Sequence, residues 1–191
     1  MTAAVALALD AGQTGIKVRI TRPDDTHADK LYPGVRTDIP LLPQLADVAR
    51  SAADGAPVSV LSAGVSGLTA AEDDPAALRN LVADLGDVRV LLAHDSVTSY
   101  LGTLGDQHGA VIASGTGAVT LAVGPEGVAR IDGWGYIMGD AGSGYALGRA
   151  ALDAVMRAYD GRGPATVLTP VVQERWPDLE AAYVMLQADP N

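Results

Sequence analysis

Residues 5–20 read VALALDAGQTGIKVRI, which predicts two strands joined by a tight loop. The continuous apolar run at 5–9 predicts a buried central strand, because it is short and ends at turn-forming residues. Apolar and polar residues alternate over 16–21, which predicts a half-buried second strand. The DAGQTG segment between the two runs predicts a tight hairpin loop.

Further strands alternate with amphipathic helices beyond this hairpin. Strand–helix units usually build parallel pairing, so we expect an antiparallel front followed by parallel strands. The predicted elements are a strand at 27–32, a helix at 38–53, a strand at 58–61, a helix opened by Asp74 and Pro75, a strand at 88–93 and a helix capped by Asp95.

The second half of the chain repeats this opening. Strands are predicted at 110–113, 118–123 and 128–131, and the SGTG loop at 114–117 joins the first two. The shared order predicts a duplicated α/β architecture with mixed sheets, divided into domains 1–107 and 108–191. Because the chain stops before the later strand–helix units, we expect the second domain to be incomplete. Helices are predicted at 145–159, 167–176 and 179–187, the first with Leu147, Ala151, Leu152 and Val155 on one face.

Composition excludes several kinds of function. The 191 residues carry a formal net charge of −10, which disfavours nucleic acid and anionic membranes as partners. There is no cysteine, which removes disulfides and cysteine-bound metal clusters and fits a cytoplasmic protein. No apolar run reaches the roughly 20 residues of a membrane helix.

The first loop has the residues of a phosphate site. Gly12 lets backbone amides approach phosphate oxygens, and Thr14 adds a hydroxyl donor. The Asp10 carboxylate would repel a polyphosphate unless Mg²⁺ lies between them, usually through water. The alternative is an ordinary hairpin in which Asp and Gly form the turn.

The second loop, 114–117, offers a similar site. We expect the two loops to face each other and to hold the phosphates of a nucleotide between two domains. The alternative is again a glycine-rich turn. The chain lacks the Gly-Lys-Ser/Thr ending of a Walker P-loop.

Asp95 is the candidate general base, which would accept the proton of a substrate hydroxyl during phosphoryl transfer. The alternative is a plain helix N-cap. His94 is interpreted as structural, because neighbours at a strand end point to opposite sides.

The glycine-rich segment GWGYIMGDAGSG at 133–144 permits close backbone approach to a ligand, and Asp140 could bind sugar hydroxyls. The alternative is a structural loop in which Trp134 is a packing plug.

Together, the motifs DAGQT (10–14), HDS (94–96), SGTG (114–117) and GWGYIMGDAGSG (133–144) resemble, in this order, the N-acetylglucosamine kinases. These form one group with the BadF/BadG/BcrA/BcrD ATPases inside the actin-like sugar kinase superfamily. The resemblance implies a ribonuclease-H-like fold in two domains, with ATP and Mg²⁺ bound in the cleft. It covers nearly the whole chain.

The resemblance also implies roles for individual residues. Asp95 matches the catalytic base, which also contacts the sugar. The first phosphate loop comprises Asp10, Gly12, Gln13 and Thr14; the second comprises Gly115, Thr116 and Gly117; and the sugar site comprises Gly133, Trp134 and Asp140.

Three positions depart from the family pattern. Ala141 stands where the family usually has Glu, Val119 where the mammalian enzyme has a sugar-binding Asn, and residues 32–40 lack a frequent Asn. The acetamido specificity is therefore open, with glucosamine or another hexose as alternatives. Family members are also longer, so the chain is expected to be a fragment or a short form with weak nucleotide affinity.

Three functions follow as hypotheses. The first is an ATP-dependent kinase that phosphorylates an amino sugar of the N-acetylglucosamine or glucosamine type, at position 6. The second is a BadF-type activator ATPase, which would need cysteines for an iron–sulfur cluster. The third is a non-catalytic sugar-binding or regulatory module. The expected partner is a small-molecule sugar, and a homodimer is an open option.

Overall fold

The computed structural model describes residues 4–188. Their first part forms a five-stranded sheet in the order β3-β2-β1-β4-β5. The strands are β1 (Val5–Ala11), β2 (Ile16–Thr21), β3 (His27–Tyr32), β4 (Val58–Val65) and β5 (Arg89–His94). The helices are α1 (Leu41–Ala53), α2 (Pro75–Leu81) and α3 (Asp95–Leu104), with a 3₁₀ turn at Ala83–Leu85.

The sheet is mixed, as the order of elements predicted. Strand β1 pairs antiparallel with β2 and parallel with β4, and β4 pairs parallel with β5. The hairpin can be antiparallel because its connection is short, whereas the parallel pairs need the helical crossovers. The core under this sheet is almost entirely aliphatic. Its fully buried members include Leu7, Ile16, Leu45, Leu61 and Leu78.

Two helices begin where local chemistry dictates. Helix α1 begins at Leu41, three residues later than predicted, because Pro40 with ψ 130° holds extended backbone before it. Helix α2 begins as predicted: the Asp74 carboxylate accepts the amides of Ala76 and Ala77 at 3.0 and 2.9 Å. These bonds satisfy donors that have no partner inside the helix.

The second part contains a three-stranded sheet in the order β6-β7-β8. The joining loops have three and two residues, which permits only antiparallel neighbours. The strands are β6 (Gly109–Ser114), β7 (Ala118–Gly124) and β8 (Gly127–Asp132), and the helices are α4 (Gly135–Met138), α5 (Gly144–Tyr159), α6 (Leu168–Arg175) and α7 (Leu179–Ala188). The predicted strand–loop–strand–turn–strand order is confirmed.

Helix α5 forms as predicted, but its apolar face is buried only in part. Val155 is fully buried, whereas Leu147 is 65% exposed. The one-turn helix α4 was not predicted. Within the residues that the structure describes, no helix is long and apolar enough to cross a membrane.

The described chain divides into two compact units. Residues up to 111 together with 121–130 form the first unit, and residues 112–120 together with those from 131 onward form the second. The proposed domain boundary between residues 107 and 108 stays a prediction.

Candidate active site

Three parallel strands end at one edge of the large sheet. The registers pair Ala11 with Val65, and Val65 with His94. The residues that follow these three therefore lie along the same edge. Neighbouring strands are about 5 Å apart, so the first and the third of these residues are about 10 Å apart. They are Gly12, Ser66 and Asp95. Ligands of open α/β sheets bind outside the carboxyl ends of the strands, so this edge is the candidate site of the first unit.

The first loop is fastened on both sides. The Gly12 amide donates to the Gly15 carbonyl at 3.1 Å, which closes the hairpin. The Val35 amide donates to the Gly12 carbonyl at 3.0 Å, and the Ser66 amide donates to the Ala11 carbonyl at 2.9 Å. The loop is therefore held by the segment after β3 and by the end of β4.

Gly34 contributes to this loop, and sequence reasoning missed it. A Cβ atom at Gly34 would lie 1.8 Å from the carbonyl oxygen of Gln13 and 2.8 Å from the Gly15 nitrogen. Only glycine permits this approach of the two chain segments. The contact joins residues 21 positions apart in sequence, so no local pattern signals it.

The predicted phosphate-binding side chains are accessible. Asp10, Gln13 and Thr14 are all exposed. No group of three or more acidic or histidine side chains that could hold a metal is present among residues 4–188. Magnesium at nucleotide sites is usually held by one or two carboxylates together with the phosphates. The single carboxylate of Asp10 fits a Mg²⁺ ion that arrives with a nucleotide.

Asp95 is the first residue of α3, and the expectation that it caps this helix is wrong. The N-cap is His94, whose Nδ1 accepts the Ser96 amide at 3.2 Å. The expectation that His94 and Asp95 point apart is also wrong, because His94 Nδ1 lies 2.8 Å from Asp95 Oδ1. The alternation of a strand ends at His94, where the backbone turns into the helix.

The Asp95 carboxylate is held as an anion. Burial raises its pKa, but the hydrogen bond and charge of His94, the Ser96 amide and the Ser66 hydroxyl together lower the pKa overall. The side chain remains 28% exposed, so a substrate could reach it. Ser66 is a second residue that sequence reasoning missed, although its position directly after β4 was the available signal.

The second loop is bound to the beginning of α5 within the second unit. The Gly115 amide donates to the Gly117 carbonyl at 2.8 Å. The Gly144 amide donates to the Gly115 carbonyl at 2.7 Å, and the Tyr145 amide donates to the Thr116 carbonyl at 3.2 Å. The glycine-rich turn is therefore a fixed structure whose carbonyls are satisfied by the helix.

Asp140 also fastens the second loop. It is 8% exposed, and its Oδ1 accepts the Ala118 amide at 3.2 Å. A Cβ atom at Gly117 would lie 2.9 Å from Asp140 Oδ2. The Asp132 carboxylate in turn accepts the amides of Asp140 and Ala141 at 2.7 and 3.0 Å. The side chain of Asp140 thus links two predicted ligand loops, and its contact with a sugar stays a prediction.

Trp134 does not serve as a packing plug in its unit. Its side chain is 59% exposed, and it precedes the one-turn helix α4. Tyr136, Ile137 and Met138 in that helix are exposed as well. The sugar-binding roles of Gly133 and Trp134 stay predictions.

Comparison with known proteins identifies related sugar kinases. An N-acetylmuramic acid/N-acetylglucosamine kinase of Clostridium acetobutylicum is 32% identical over 112 residues, which is 58% of this chain and 36% of that protein. An N-acetyl-D-glucosamine kinase of Dictyostelium discoideum is 36% identical over 122 residues, or 62% of this chain and 38% of that protein. The match thus spans little more than a third of each relative.

A solved structure shares the fold. It is a candidate N-acetylglucosamine kinase from Chromobacterium violaceum, with a TM-score of 0.69 and 26% identity over 94% of this chain and 67% of that one. The predicted fold class is confirmed: the chain has the ribonuclease-H-like fold that sugar kinases share with actin-like ATPases. The family model for BadF/BadG/BcrA/BcrD ATPases matches residues 10–183. This chain therefore belongs to the BadF/BadG/BcrA/BcrD ATPase family.

Proposed function

We propose that this protein is an ATP-dependent sugar kinase that transfers the γ-phosphate of ATP to a hydroxyl of an amino sugar. The observation that carries the proposal is the position of Asp95. Its partly exposed carboxylate lies at the same sheet edge as the first loop, and its lowered pKa keeps it ionised at neutral pH. The relatives named as N-acetylglucosamine kinases support an amino sugar as the acceptor.

Asp95 acts as the general base in this proposal. Its carboxylate accepts the proton of the sugar hydroxyl as the hydroxyl oxygen attacks the γ-phosphorus. Ser66 and His94 lie next to the carboxylate, and both lower its pKa. Positioning and electrostatic stabilisation account for most of the catalysis in phosphoryl transfer. Residues that fix the place and charge of the base therefore contribute to the rate.

The two loops bind phosphate oxygens in this proposal. Gly12, Gln13 and Thr14 line the phosphate in the first unit, and Gly115, Thr116 and Gly117 line it in the second. The amides of Gly12 and Gly115 are already bonded within their loops, so the donors are the Thr14 hydroxyl and the amides of the other four residues. Mg²⁺ bound with the nucleotide neutralises phosphate charge, and Asp10 would hold it through water.

The acceptor is an amino sugar, with its acetamido group left open. Gly133, Trp134 and Asp140 form the proposed sugar segment. Ala141 and Val119 replace polar residues of the family pattern, which removes two candidate contacts to the sugar. The names of the relatives favour N-acetylglucosamine, and glucosamine is the alternative.

The test is ADP release measured over a panel of sugars. The panel includes N-acetylglucosamine, glucosamine, glucose and a reaction without sugar. We expect sugar-dependent ADP release that Asp95→Asn reduces by at least about 10²-fold, which is the lower range for removing a general base. Asp47→Asn is the matched control, because Asp47 is 80% exposed on α1 and should leave the rate unchanged. Near wild-type turnover by Asp95→Asn would show that Asp95 is not the base.

The family match also supports a second candidate, an activator ATPase. That function needs cysteines to bind an iron–sulfur cluster, and the 191 residues contain none. ADP release that is equally fast with and without sugar would favour this candidate over the kinase. Sugar binding by calorimetry with no ADP release at all would instead favour a non-catalytic module.

A further inference from the structure

His94 Nδ1 faces two groups with opposite requirements. The Ser96 amide points at this nitrogen from 3.2 Å, and it needs the lone pair of an unprotonated Nδ1. Asp95 Oδ1 lies 2.8 Å from the same nitrogen, and this contact is attractive only if Nδ1 carries a proton. The Ser96 hydroxyl, at 2.9 Å, can donate or accept and suits either state.

The Asp95 carboxylate decides between these two states. Its Oδ1 atom is buried and makes no hydrogen bond when Nδ1 serves as the acceptor for Ser96. A buried carboxylate oxygen without a donor is strongly unfavourable, whereas the amide of the buried Ser96 has a second acceptor in the Asp95 carboxylate itself. The state with the proton on Nδ1 is therefore favoured whenever Asp95 is ionised.

We propose that His94 is a positioning residue that donates a hydrogen bond from Nδ1 to Asp95 Oδ1. This bond keeps the carboxylate ionised and orients it so that Oδ2 meets the acceptor hydroxyl. The proton of that hydroxyl passes to Oδ2, and the Nδ1 proton stays on His94. The last step rests on the proposed kinase function, whereas the bond between His94 and Asp95 does not.

The surroundings of Asp95 make His94 the dominant partner. Among the described residues, His94 is the titratable group that acts on this carboxylate. The other contacts come from the neutral Ser96 amide and the neutral Ser66 hydroxyl. A change at His94 therefore acts on the charge of Asp95 with no second ionisable group to compensate.

Nitrogen NMR of the histidine side chains tests the bond directly. The chain has three histidines, and the exposed His27 and His108 serve as internal references. We expect His94 to be protonated at Nδ1 in the wild-type protein at neutral pH. In Asp95→Ala the proton should move to Nε2, because Nδ1 is then free to accept the Ser96 amide. An unprotonated Nδ1 in the wild type, or an unchanged tautomer in Asp95→Ala, would overturn the proposal.

A matched pair of variants separates positioning from helix capping. Asn and Asp are both good N-caps, but only Asn can also donate a hydrogen bond to Asp95. We expect His94→Asn to keep kcat within a few-fold of wild type. His94→Asp should lower kcat by about 10²-fold with little change in KM, since the base is misplaced and repelled.

Two results separate this proposal from the proposed function. Carbon NMR should show a higher Asp95 pKa in His94→Asp than in His94→Asn, whether or not the chain turns over sugar. Equal Asp95 pKa values in the two variants would refute the role of His94. If the wild type releases no ADP with any sugar, the kinase proposal fails and the NMR result still decides the bond.

Discussion

Replacing Gly34 by Ala should displace the first loop, because the structure has no space for the added carbon. That carbon would lie 1.8 Å from the Gln13 carbonyl oxygen, 2.3 Å from the Gln13 carbonyl carbon and 2.8 Å from the Gly15 nitrogen. Ordinary contacts between heavy atoms are about 3.5 Å. All three neighbours are backbone atoms, so the loop itself must move by roughly 1.7 Å.

The size of the effect follows from that displacement. Overpacking of this kind costs about 1–3 kcal/mol, which corresponds to a fall in Tm on the order of 5 °C for a chain of this length. A misplacement of about 1 Å in a ligand-positioning segment can cost about 10²-fold in rate. We therefore expect a modest loss of stability and a much larger loss of nucleotide-dependent function.

Two measurements test this prediction. Calorimetry with a non-hydrolysable Mg·ATP analogue measures the nucleotide affinity, which depends on the position of the loop. Circular dichroism measures Tm. Gly102→Ala is the matched control, because nothing lies within 4 Å of an added Cβ on α3, and alanine in a helix should raise stability by about 0.5–1 kcal/mol. Wild-type nucleotide affinity and Tm in Gly34→Ala would refute the reasoning.

Three further predictions concern other parts of the chain. Asp74→Ala should destabilise the protein by about 1 kcal/mol in urea denaturation, since α2 loses the carboxylate that caps it. The pKa of Asp95 is lowered in the folded state, so its ionisation stabilises the protein above about pH 4, the unfolded value, and this stability is lost as pH falls through the lower folded pKa. Asp95→Asn should therefore flatten the decline of the unfolding free energy below about pH 4. Gly117→Ala should increase amide hydrogen exchange in the second loop, because the added carbon would meet the Asp140 carboxylate at 2.9 Å.

Local sequence was sufficient to predict the strands and all helices but the one-turn helix α4. The alternation at 16–21 and the apolar run at 5–9 identify β2 and β1, because the side chains of a strand repeat every two residues. The Asp74 cap was likewise predictable, since it involves only the next three residues. Mixed pairing followed from the order of strands and helices.

Local sequence was insufficient where burial or contact depends on a distant segment. Leu147 and Val155 belong to the same predicted face of α5, yet only Val155 is buried. Periodicity shows which residues share a helix face, but the packing partner decides which part of the face is covered.

The amino-acid sequence was sufficient for the two hairpin loops and for the order of strands and helices along the chain, because each depends on neighbouring residues or on the order of segments. Asp95 was named as the candidate base through the resemblance of the ordered motifs to a family, and that role stays a prediction. The tertiary structure alone decided that Gly34 meets Gln13, that Ser66 joins Asp95, and that Asp140 fastens Gly117. It also decided that His94 contacts Asp95, although the two are adjacent, because the contact depends on where β5 ends and α3 begins. These contacts depend on the register of the strands and on where distant segments of the chain pack. The order of the residues alone does not show which atoms then lie close together.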